Sequence, residues 1–298
     1  MNFKPSILVL ALASMLTACQ SLPTQETSGA SNPSGVPDAL ASPPADDRLN
    51  AVVWHQTSQE YRLSALGIYR AAERQLDRAL SNPDWDALTH EDRDRPFAGL
   101  PPAVIVDVDE TCLDNSPYQS RMLRQRRDFS ALTWADWVRE ESAVPVPGAL
   151  TFAKSANARG IRVFYISNRD HSLNASTLAN LRTVGFPVEN DDQFLGLGAS
   201  LSGCVDVGSE KGCRRRLVGR EYRVLLQVGD QIVDMVTVHD NSPSGRDAAV
   251  APYLPWVGER WFVLPNPSYG SWESALYRDD RSLPQERRRA AKLDALRD

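Results

Sequence analysis

Three short segments rich in apolar and β-branched residues constrain the fold of this chain more than any other feature. They are AVIVDV, IRVFYI and YRVLLQV, at residues 103–108, 161–166 and 222–228. Runs of this length and composition are typical of parallel strands that are buried on both faces. Segments with helical patterns lie between them, at residues 146–159, 172–184 and 210–220. The alternation predicts an α/β fold with a doubly wound, Rossmann-like parallel sheet between helices, which binds ligands at the carboxyl ends of its strands.

Weaker patterns predict further elements. Residues 235–239 (MVTVH) and 261–265 (WFVLP) are candidate strands, and residues 284–297 form a candidate charged helix. Before the first strand, apolar residues recur at spacings of three, four and seven between residues 53 and 80, which predicts one long amphipathic helix. The residues on this apolar face are Trp54, Tyr61, Ala65, Ile68, Ala72, Leu76 and Ala79.

The amino-terminal residues are predicted to direct export. Residues 6–18 (SILVLALASMLTA) are too short for a permanent bilayer span but typical of the apolar part of a signal peptide. The sequence LTAC that ends at Cys19 resembles a bacterial lipobox, in which the cysteine becomes the lipidated first residue of the mature protein. Cleavage without a lipid is the alternative. Because Gln20 follows, the resemblance implies a lipid anchor in the outer membrane of a Gram-negative cell envelope.

The predicted organisation is a signal peptide at residues 1–18, a flexible tether at 19–48 and one folded domain at 49–298. The tether is rich in Ser, Pro, Thr, Gly and Ala and has too little apolar area to order itself. The chain is 42% hydrophobic and 24% charged with a net charge of −5, which is ordinary for a globular protein and disfavours a nucleic-acid polymer as partner. A monomer and a homodimer both stay open.

Chemically active side chains lie near the end of each predicted strand. The first and third strands end in carboxylates, the second ends in a hydroxyl and an amide, and a lysine begins the helix before the third. Because like charges at one sheet edge raise each other's pKa, such a cluster calls for a cation. The residues are Asp107, Asp109, Ser167, Asn168, Lys211, Asp230 and Asp234.

A hard divalent cation would relieve this repulsion. Mg²⁺ prefers a few oxygen ligands together with waters and phosphate, and Asp107, Asp109 and Asp230 can share one. A carboxylate can also attack phosphorus covalently, while the hydroxyl, amide and ammonium groups can hold phosphoryl oxygens. An EF-hand calcium loop is excluded, since its sixth and twelfth positions would hold Cys112 and Tyr118 in place of Gly and Glu.

The motifs DVDET, SNR, Lys211 and GDQIVD, in this order, resemble the four motifs of the haloacid dehalogenase-like superfamily. The longer stretches DVDETCLDNSPY, VPGALTFAKSANARGIRVFYISNR and VLLQVGDQIVD look like the class C bacterial acid phosphatases, outer-membrane lipoproteins also described as 5'-nucleotidases. The resemblance covers about residues 49–264 and the lipobox. It implies a Mg²⁺-dependent acid phosphatase that hydrolyses phosphate monoesters, nucleoside 5'-monophosphates in particular, through an aspartyl-phosphate. A phosphotransferase with the same site, a dehalogenase and a non-catalytic ligand-binding lipoprotein are the alternatives.

The resemblance also implies a role for each residue of the cluster. Asp107 would be the nucleophile, and Asp109 would protonate the leaving alcohol and then activate water. The metal would contact Asp107, the backbone carbonyl of Asp109 and the side chain of Asp230, with Asp234 in support. The set that binds phosphate or substrate would be Thr111, Ser167, Asn168 and Lys211.

The fourth motif departs from the family pattern at two positions. Gln231 stands where an asparagine is expected, and Met235 stands where an aromatic residue is expected. Both positions border the predicted metal ligands. The outer surroundings of the metal are therefore expected to differ from those in the family.

Residues 115–146 are predicted to form a small helical cap inserted after the first strand. Trp134 and Trp137 are three positions apart, so they would share one face of a cap helix, where core packing is the simplest role. Asn115 is predicted to shape the turn into the cap. Glu110 is predicted to be incidental, because on an extended chain it would point away from the site.

Aromatic residues are the candidates for contact with a nucleotide base. Every base has a π-face, so stacking on an aromatic ring tolerates any base. The resemblance places such rings near the mouth of the pocket. The candidates in this chain are Tyr118, Tyr253 and Trp256.

The remaining cysteines are assigned by the redox environment. Cys204 and Cys213 flank the segment VDVGSEKG, and an oxidising periplasm favours a disulfide between them. Two free thiols in a loop are the alternative. Cys112 is predicted to pack as a small apolar group.

Overall fold

The computed structural model describes residues 46–198, 203–205, 208–280 and 282–298. The predicted signal peptide, the lipidation site at Cys19 and nearly all of the predicted tether lie outside these ranges. Those assignments stay predictions. Within the described ranges, no helix is long and apolar enough to cross a membrane.

Helices and strands alternate along the described chain. The first part contains α1 (Leu49–Thr57), α2 (Gln59–Ser81), β1 (Pro102–Val106), β2 (Leu113–Asp114), α3 (Ser116–Gln125), α4 (Ala131–Arg139) and β3 (Val144–Pro145). The middle part contains α5 (Ala149–Ala158), β4 (Arg162–Asp170), α6 (Asn174–Thr183), β5 (Phe194–Leu197), α7 (Gly212–Glu221) and β6 (Arg223–Gly229). The last part contains α8 (Pro243–Val250), β7 (Trp261–Val263), α9 (Ser271–Ser274) and α10 (Gln285–Asp294).

Five strands form one parallel sheet in the order β5-β4-β1-β6-β7. The central strand β1 pairs with β4 and β6, so that Val104 lies beside Val163 on one side and Leu226 on the other. The predicted α/β sheet is therefore confirmed. A separate antiparallel pair, β2 with β3, lies at the two ends of the inserted cap segment.

Alternate residues of β1 face two different hydrophobic clusters. Val104 and Val106 belong to the cluster built with helices α2, α5 and α6, whereas Ala103 and Ile105 belong to the cluster built with α7 and residues 235–238. Both faces of the sheet are covered, which is why the central strand β1 is apolar at every position. The carboxyl ends of the strands are left to carry polar groups.

The predicted long helix at residues 53–80 is two helices. Ser58 adopts an extended conformation (φ −80°, ψ 139°) between α1 and α2, and its hydroxyl accepts a hydrogen bond from the Tyr61 N–H at 3.1 Å. A serine that caps a helix in this way ends the preceding one. The buried face of α2 contains five of the predicted residues and also Tyr69.

One predicted strand is wrong, and one strand of the parallel sheet escaped prediction, as did the short pair β2 and β3. Residues 235–239 form no strand; Met235, Val236 and Val238 instead pack as core residues against the sheet. The fifth strand is β5, whose sequence FLGL is short and contains Gly196. A glycine weakens the strand pattern, and its absence of a side chain is required here, since a Cβ would lie 2.5 Å from Asn174 Oδ1.

A disulfide joins Cys204 to Cys213, with their Cα atoms 5.2 Å apart. Cys213 is the second residue of α7 and lies two positions after Lys211. The bond therefore ties the chain before α7 to the first turn of this helix. Cys112 is a free thiol that is 2% exposed and packs in the core.

Replacing both disulfide cysteines with serine should lower the melting temperature. A cross-link over this short loop lowers the entropy of the unfolded chain and so raises the free energy of unfolding by about 2.5 to 3 kcal/mol. This corresponds to a rise in melting temperature of roughly 5–10 °C in a domain of this size. Calorimetry of the Cys204→Ser/Cys213→Ser variant measures the change. Titration of wild-type thiols with and without reductant is the control, because reduction should expose two further thiols. An unchanged melting temperature would contradict the stabilising role.

Candidate active site

Three adjacent strands deliver the polar residues of the site to one edge of the sheet. Asp107 follows β1, Ser167 lies in the last part of β4, and Asp230 follows β6. The Asp107 N–H donates to the carbonyl oxygen of Val228 at 2.9 Å, which continues the pairing of β1 with β6 beyond the end of β1. This backbone hydrogen bond therefore fixes the position of Asp107 at the end of β1.

The ammonium of Lys211 connects two carboxylates of the cluster. Its ammonium is buried and donates to Asp107 Oδ1 at 2.5 Å, to Asp234 Oδ1 at 2.7 Å and to the carbonyl oxygen of Ile166 at 2.9 Å. All three N–H donors of the ammonium are used. Burial acts to lower the pKa of Lys211, but the two carboxylates outweigh it and hold the pKa above its ordinary value.

Asp107 is buried between two donors. Its Oδ1 accepts from Lys211, and its Oδ2 accepts from the Thr111 hydroxyl at 2.9 Å. Burial raises the pKa of Asp107 to about 7, against the opposing charge of Lys211 and with further increases from the Asp234 and Asp109 carboxylates. This carboxylate is therefore in an environment that carries more negative charge than one ammonium offsets.

A divalent cation fits the arrangement. One carboxylate oxygen from each of Asp107, Asp230 and Asp234 lies within 4.8 Å of the other two. Burial raises the pKa of Asp230 well above its ordinary value, and the Asp234 and Asp107 charges raise it further. Carboxylate oxygens grouped in this way are the ligands that Mg²⁺ and similar hard cations take.

The fourth-motif residues orient Asp230 and Asp234. Gln231 Nε2 and Asn266 Nδ2 both donate to Asp230 Oδ2, at 3.0 and 2.7 Å. Asp234 accepts from Lys211 through Oδ1 and from the Gln231 N–H through Oδ2, at 2.9 Å. Asp234 therefore bonds to the protein with both oxygens, as Asp107 does, and it links Lys211 to the backbone of Gln231. Gly229 makes room for it, since a Cβ there would lie 2.2 Å from Asp234 Oδ2.

The unexpected Gln231 has a structural partner. The segment after β7 passes over its side chain, and a Cβ on Gly270 would lie 2.3 Å from Gln231 Oε1. Gln231 Nε2 also lies 3.4 Å from the carbonyl oxygen of Tyr269. The longer side chain therefore fits because the segment that covers it has a glycine at this point.

Asp109 faces Ser167 and Arg169. Its Oδ2 accepts from the Ser167 hydroxyl at 3.3 Å, and its Oδ1 accepts from Arg169 Nε at 3.0 Å and from Asn115 Nδ2 at 2.8 Å. Ser167 is completely buried, while the Asp109 side chain is 20% exposed. Asp109 is thus held by its neighbours and still open to the site.

Asn168 differs from its predicted role. Its Nδ2 donates to the carbonyl oxygen of Ser209 at 2.8 Å, and its Oδ1 accepts from Arg214 at 2.6 Å. The amide therefore joins β4 to the segment before α7. In this arrangement its polar atoms are engaged by the protein instead of facing a phosphate.

The predicted aromatic candidates pack against other aromatic rings. Tyr118 is 1% exposed and packs edge-on against Trp134, with ring centroids 5.1 Å apart. Tyr253 packs against Trp256 and Trp261, each at 5.0 Å, beside the edge strand β7. Tyr118 therefore fills a core, whereas Tyr253 and Trp256 are half-buried and pack beside the edge of the sheet.

Glu110 is not incidental, contrary to the sequence interpretation. It has a positive φ of 57°, so the chain turns at this residue instead of staying extended. Its buried carboxylate accepts from the Asn115 N–H at 2.9 Å and from the Tyr269 hydroxyl. Burial raises the pKa of Glu110 well above its ordinary value, and the Asp109, Asp230 and Asp114 carboxylates add to this effect.

Four contributors to the site were missed by sequence reasoning: Glu110, Arg169, Asn266 and Tyr269. Arg169 belongs to the SNR motif, which was the available sign of its role. Asn266 and Tyr269 belong to the segment PNPSYG directly after β7. Its position at the carboxyl end of a fifth strand could have pointed to the site.

The cap is helical, as expected. It contains α3 and α4, with Trp137 buried and its Nε1 donating to Asn115 Oδ1 at 2.8 Å. Trp134 is half-buried and faces the guanidinium of Arg169, which lies 5.4 Å from its ring centroid. The cap thus contacts residues that border Asp109.

The chain belongs to the HAD superfamily, subfamily IIIB, the acid phosphatase family, whose family model matches residues 13–272. Its fold is similar to that of the class C acid phosphatase from Bacillus anthracis, with a TM-score of 0.72 and 28% identity over 84% of this chain and 97% of that chain. The same Bacillus anthracis enzyme is also known with tungstate bound.

Two plant proteins are more distant relatives. The stem 31 kDa glycoprotein of Glycine max is 25% identical over 165 residues, which are 55% of this chain and 58% of that protein. Acid phosphatase 1 of Solanum lycopersicum is 26% identical over the same number of residues, which are 57% of its length. The chain therefore spans little more than half of each of these relatives.

Replacing Asp230 with asparagine should stabilise the metal-free protein near neutral pH. The wild-type pKa is raised by folding, so the folded state binds more protons and loses stability as the pH rises above the unfolded value of about 4. Asparagine removes one repulsive charge, and the melting temperature at pH 8 should rise by roughly 3 °C, with a smaller difference at pH 5. Added Mg²⁺ should raise the melting temperature of the wild type but not of the variant.

Asp92→Asn is the matched control for this measurement. Asp92 is a fully buried carboxylate, and it pairs with Arg215 at 2.6 Å. Removing its charge leaves a buried guanidinium without its partner, so the melting temperature should fall. A lower metal-free melting temperature for Asp230→Asn would contradict the proposed repulsion.

Proposed function

We propose that this protein is a Mg²⁺-dependent acid phosphatase that hydrolyses phosphate monoesters, nucleoside 5'-monophosphates among them, through a phosphoryl group carried on Asp107. The observation that carries the proposal is the contact of Lys211 with both Asp107 and Asp234, beside Asp230, at the carboxyl edge of the sheet. Family membership agrees with the reaction class.

The metal would be held by Asp107, Asp230 and the backbone carbonyl of Asp109. When bound, it would offset the negative charge that the carboxylates and the phosphate bring together. Asp234 would stay with Lys211 and the Gln231 N–H, and so keep the ammonium beside Asp107. The tungstate bound to the Bacillus anthracis enzyme is a tetrahedral oxyanion like phosphate, and it supports an anion site of this kind here.

In the first half of the reaction, a carboxylate oxygen of Asp107 attacks the phosphorus, and the bond from phosphorus to the alcohol oxygen breaks. Asp109 gives its proton to that oxygen, so a neutral alcohol leaves. In the second half, water attacks the phosphorus, and Asp109 takes a proton from the water as the bond to Asp107 breaks. The products are inorganic phosphate and the free Asp107 carboxylate.

A nucleotide substrate is supported by the aromatic surface of the cap. Phe129 is 61% exposed and packs on Trp134, with ring centroids 6.3 Å apart. Trp134 in turn borders Arg169 beside the site. A base can stack on such a surface, whereas Tyr118 and Tyr253 are engaged in packing.

Attachment to the outer membrane through a lipid on Cys19 is part of the same proposal. It is supported by the lipobox-like LTAC sequence and the apolar run before it. In that location the substrates would be small phosphate esters that reach the cell envelope. Whether the enzyme works there as a monomer or a homodimer stays open.

The protein should release phosphate from 4-nitrophenyl phosphate and from nucleoside 5'-monophosphates in the presence of Mg²⁺, and excess EDTA should stop the release. Asp107→Asn should reduce release to background, because no nucleophile remains. Asp94→Asn is a suitable control. Asp94 lies away from the cluster and pairs with Arg220 at 2.7 Å, so removal of its charge should leave activity unchanged. Undiminished release in EDTA, or none with any ester, would overturn the proposal.

Asp109→Asn should separate proton transfer from metal binding. The rate should fall by about 10² to 10⁴, the usual contribution of a general acid or base. The Mg²⁺-induced rise in melting temperature should persist, because the metal would use the backbone oxygen of this residue. Asp230→Asn is expected to lose the Mg²⁺-induced rise in melting temperature. If Asp109→Asn also loses it, the side chain of Asp109 holds the metal, and the assignment to its backbone oxygen is wrong.

A further inference from the structure

The two oxygens of the Asp109 carboxylate are in different surroundings. Oδ1 accepts hydrogen bonds from Arg169 Nε at 3.0 Å and Asn115 Nδ2 at 2.8 Å, and Arg169 Nη2 lies 2.8 Å from it. From the described residues, Oδ2 accepts one hydrogen bond, from the Ser167 hydroxyl at 3.3 Å. One oxygen is therefore saturated with N–H donors, and the other has a single long contact.

The guanidinium that makes these contacts is itself fixed. Arg169 is 2% exposed. Its Nη1 donates to the Thr177 hydroxyl at 3.2 Å and its Nη2 donates to Asn115 Oδ1 at 3.2 Å. The Trp134 ring covers one face of the group, at 5.4 Å from centroid to Cζ. A planar group held on its edges and on its face has little freedom to turn.

The orientation of the Asn115 amide is also determined. Its Oδ1 accepts from Trp137 Nε1 at 2.8 Å as well as from Arg169, and both partners can only donate. The Nδ2 group must therefore be the one that faces Asp109. The amide cannot exchange its two ends without placing donors against donors.

We propose that Arg169 and Asn115 are positioning residues that select Oδ2 of Asp109 as the oxygen that exchanges a proton with the substrate. A proton on Oδ1 would face three N–H groups, whereas a proton on Oδ2 faces the open side of the carboxylate next to Ser167. The inference rests on the proposed function, in which Asp109 protonates the leaving alcohol. Neither residue needs to touch the substrate for this role.

The test compares esters whose leaving groups differ in their need for a proton. The 4-nitrophenolate ion leaves without one, but an alkoxide does not. For Arg169→Gln, kcat/KM should fall by about 100-fold with glycerol 2-phosphate and a nucleoside 5'-monophosphate, within the range that general acids contribute. With 4-nitrophenyl phosphate the fall should be no more than about threefold, since the acid contributes little there. The parameter kcat/KM is used because it reports the steps up to alcohol departure.

Three further variants separate positioning from folding. Arg169→Lys keeps the charge but not the pair of N–H donors, and Asn115→Ala removes a donor from a different element; both should show the same leaving-group dependence to a smaller degree. Arg215→Gln is the matched control, because Arg215 is equally buried but pairs with Asp92. Any loss in this control should be the same for all esters. Melting temperatures establish that each variant is folded.

The outcomes are distinct. If the wild type hydrolyses both kinds of ester and the folded Arg169 and Asn115 variants lose the same factor on each, the positioning role is overturned while the phosphatase function stands. If the wild type hydrolyses neither ester with Mg²⁺, the proposed function itself fails. A selective loss on alkyl esters, absent in Arg215→Gln, supports the role.

Discussion

The buried ammonium of Lys211 is the group on which the rest of the site depends. It touches a carboxylate from the end of β1 and another from the turn after β6, together with a carbonyl of β4. A buried ion pair gains stability only when its remaining donors and acceptors are satisfied. One positive charge nevertheless faces several negative charges, so the fold leaves an excess of negative charge that a cation is suited to offset. Tight packing around the lysine is what keeps this excess in place.

The neighbouring loops orient these carboxylates instead of neutralising them. Asp230 takes two amide donors on a single oxygen, from Gln231 and from Asn266 more than thirty residues later. Amides contribute direction without adding a charge, so the carboxylate keeps its negative charge. Gly229 and Gly270 allow the crowding, because a Cβ at either position would overlap a side chain of this network.

The central part of the fold and site could be predicted from the sequence because it follows from strand periodicity. Asp107 and Asp230 stand directly after apolar segments, and parallel strands bring such ends together. Lys211 begins the helix before the third of these segments. Glu110 could not be placed in this way, since its role depends on one backbone angle that turns the chain back on itself. Asn266 and Tyr269 follow β7, whose sequence was only a weaker strand candidate, so the polar residues after it were not assigned to the site. Tyr118 was misjudged because sequence does not distinguish a ring that fills a core from one that lines a pocket.

Asn115 lies within the extended first motif and is also the residue before the first cap helix. Its amide holds Asp109 on one side and accepts from Trp137 on the other. The cap is therefore not an independent module that recombination could exchange among related proteins at will. A graft that brought a foreign cap without this asparagine and tryptophan would also remove contacts that hold the Asp109 carboxylate. Diversification of such a cap is expected to proceed at its outer surface, while the residues at its base change in concert with the catalytic strand.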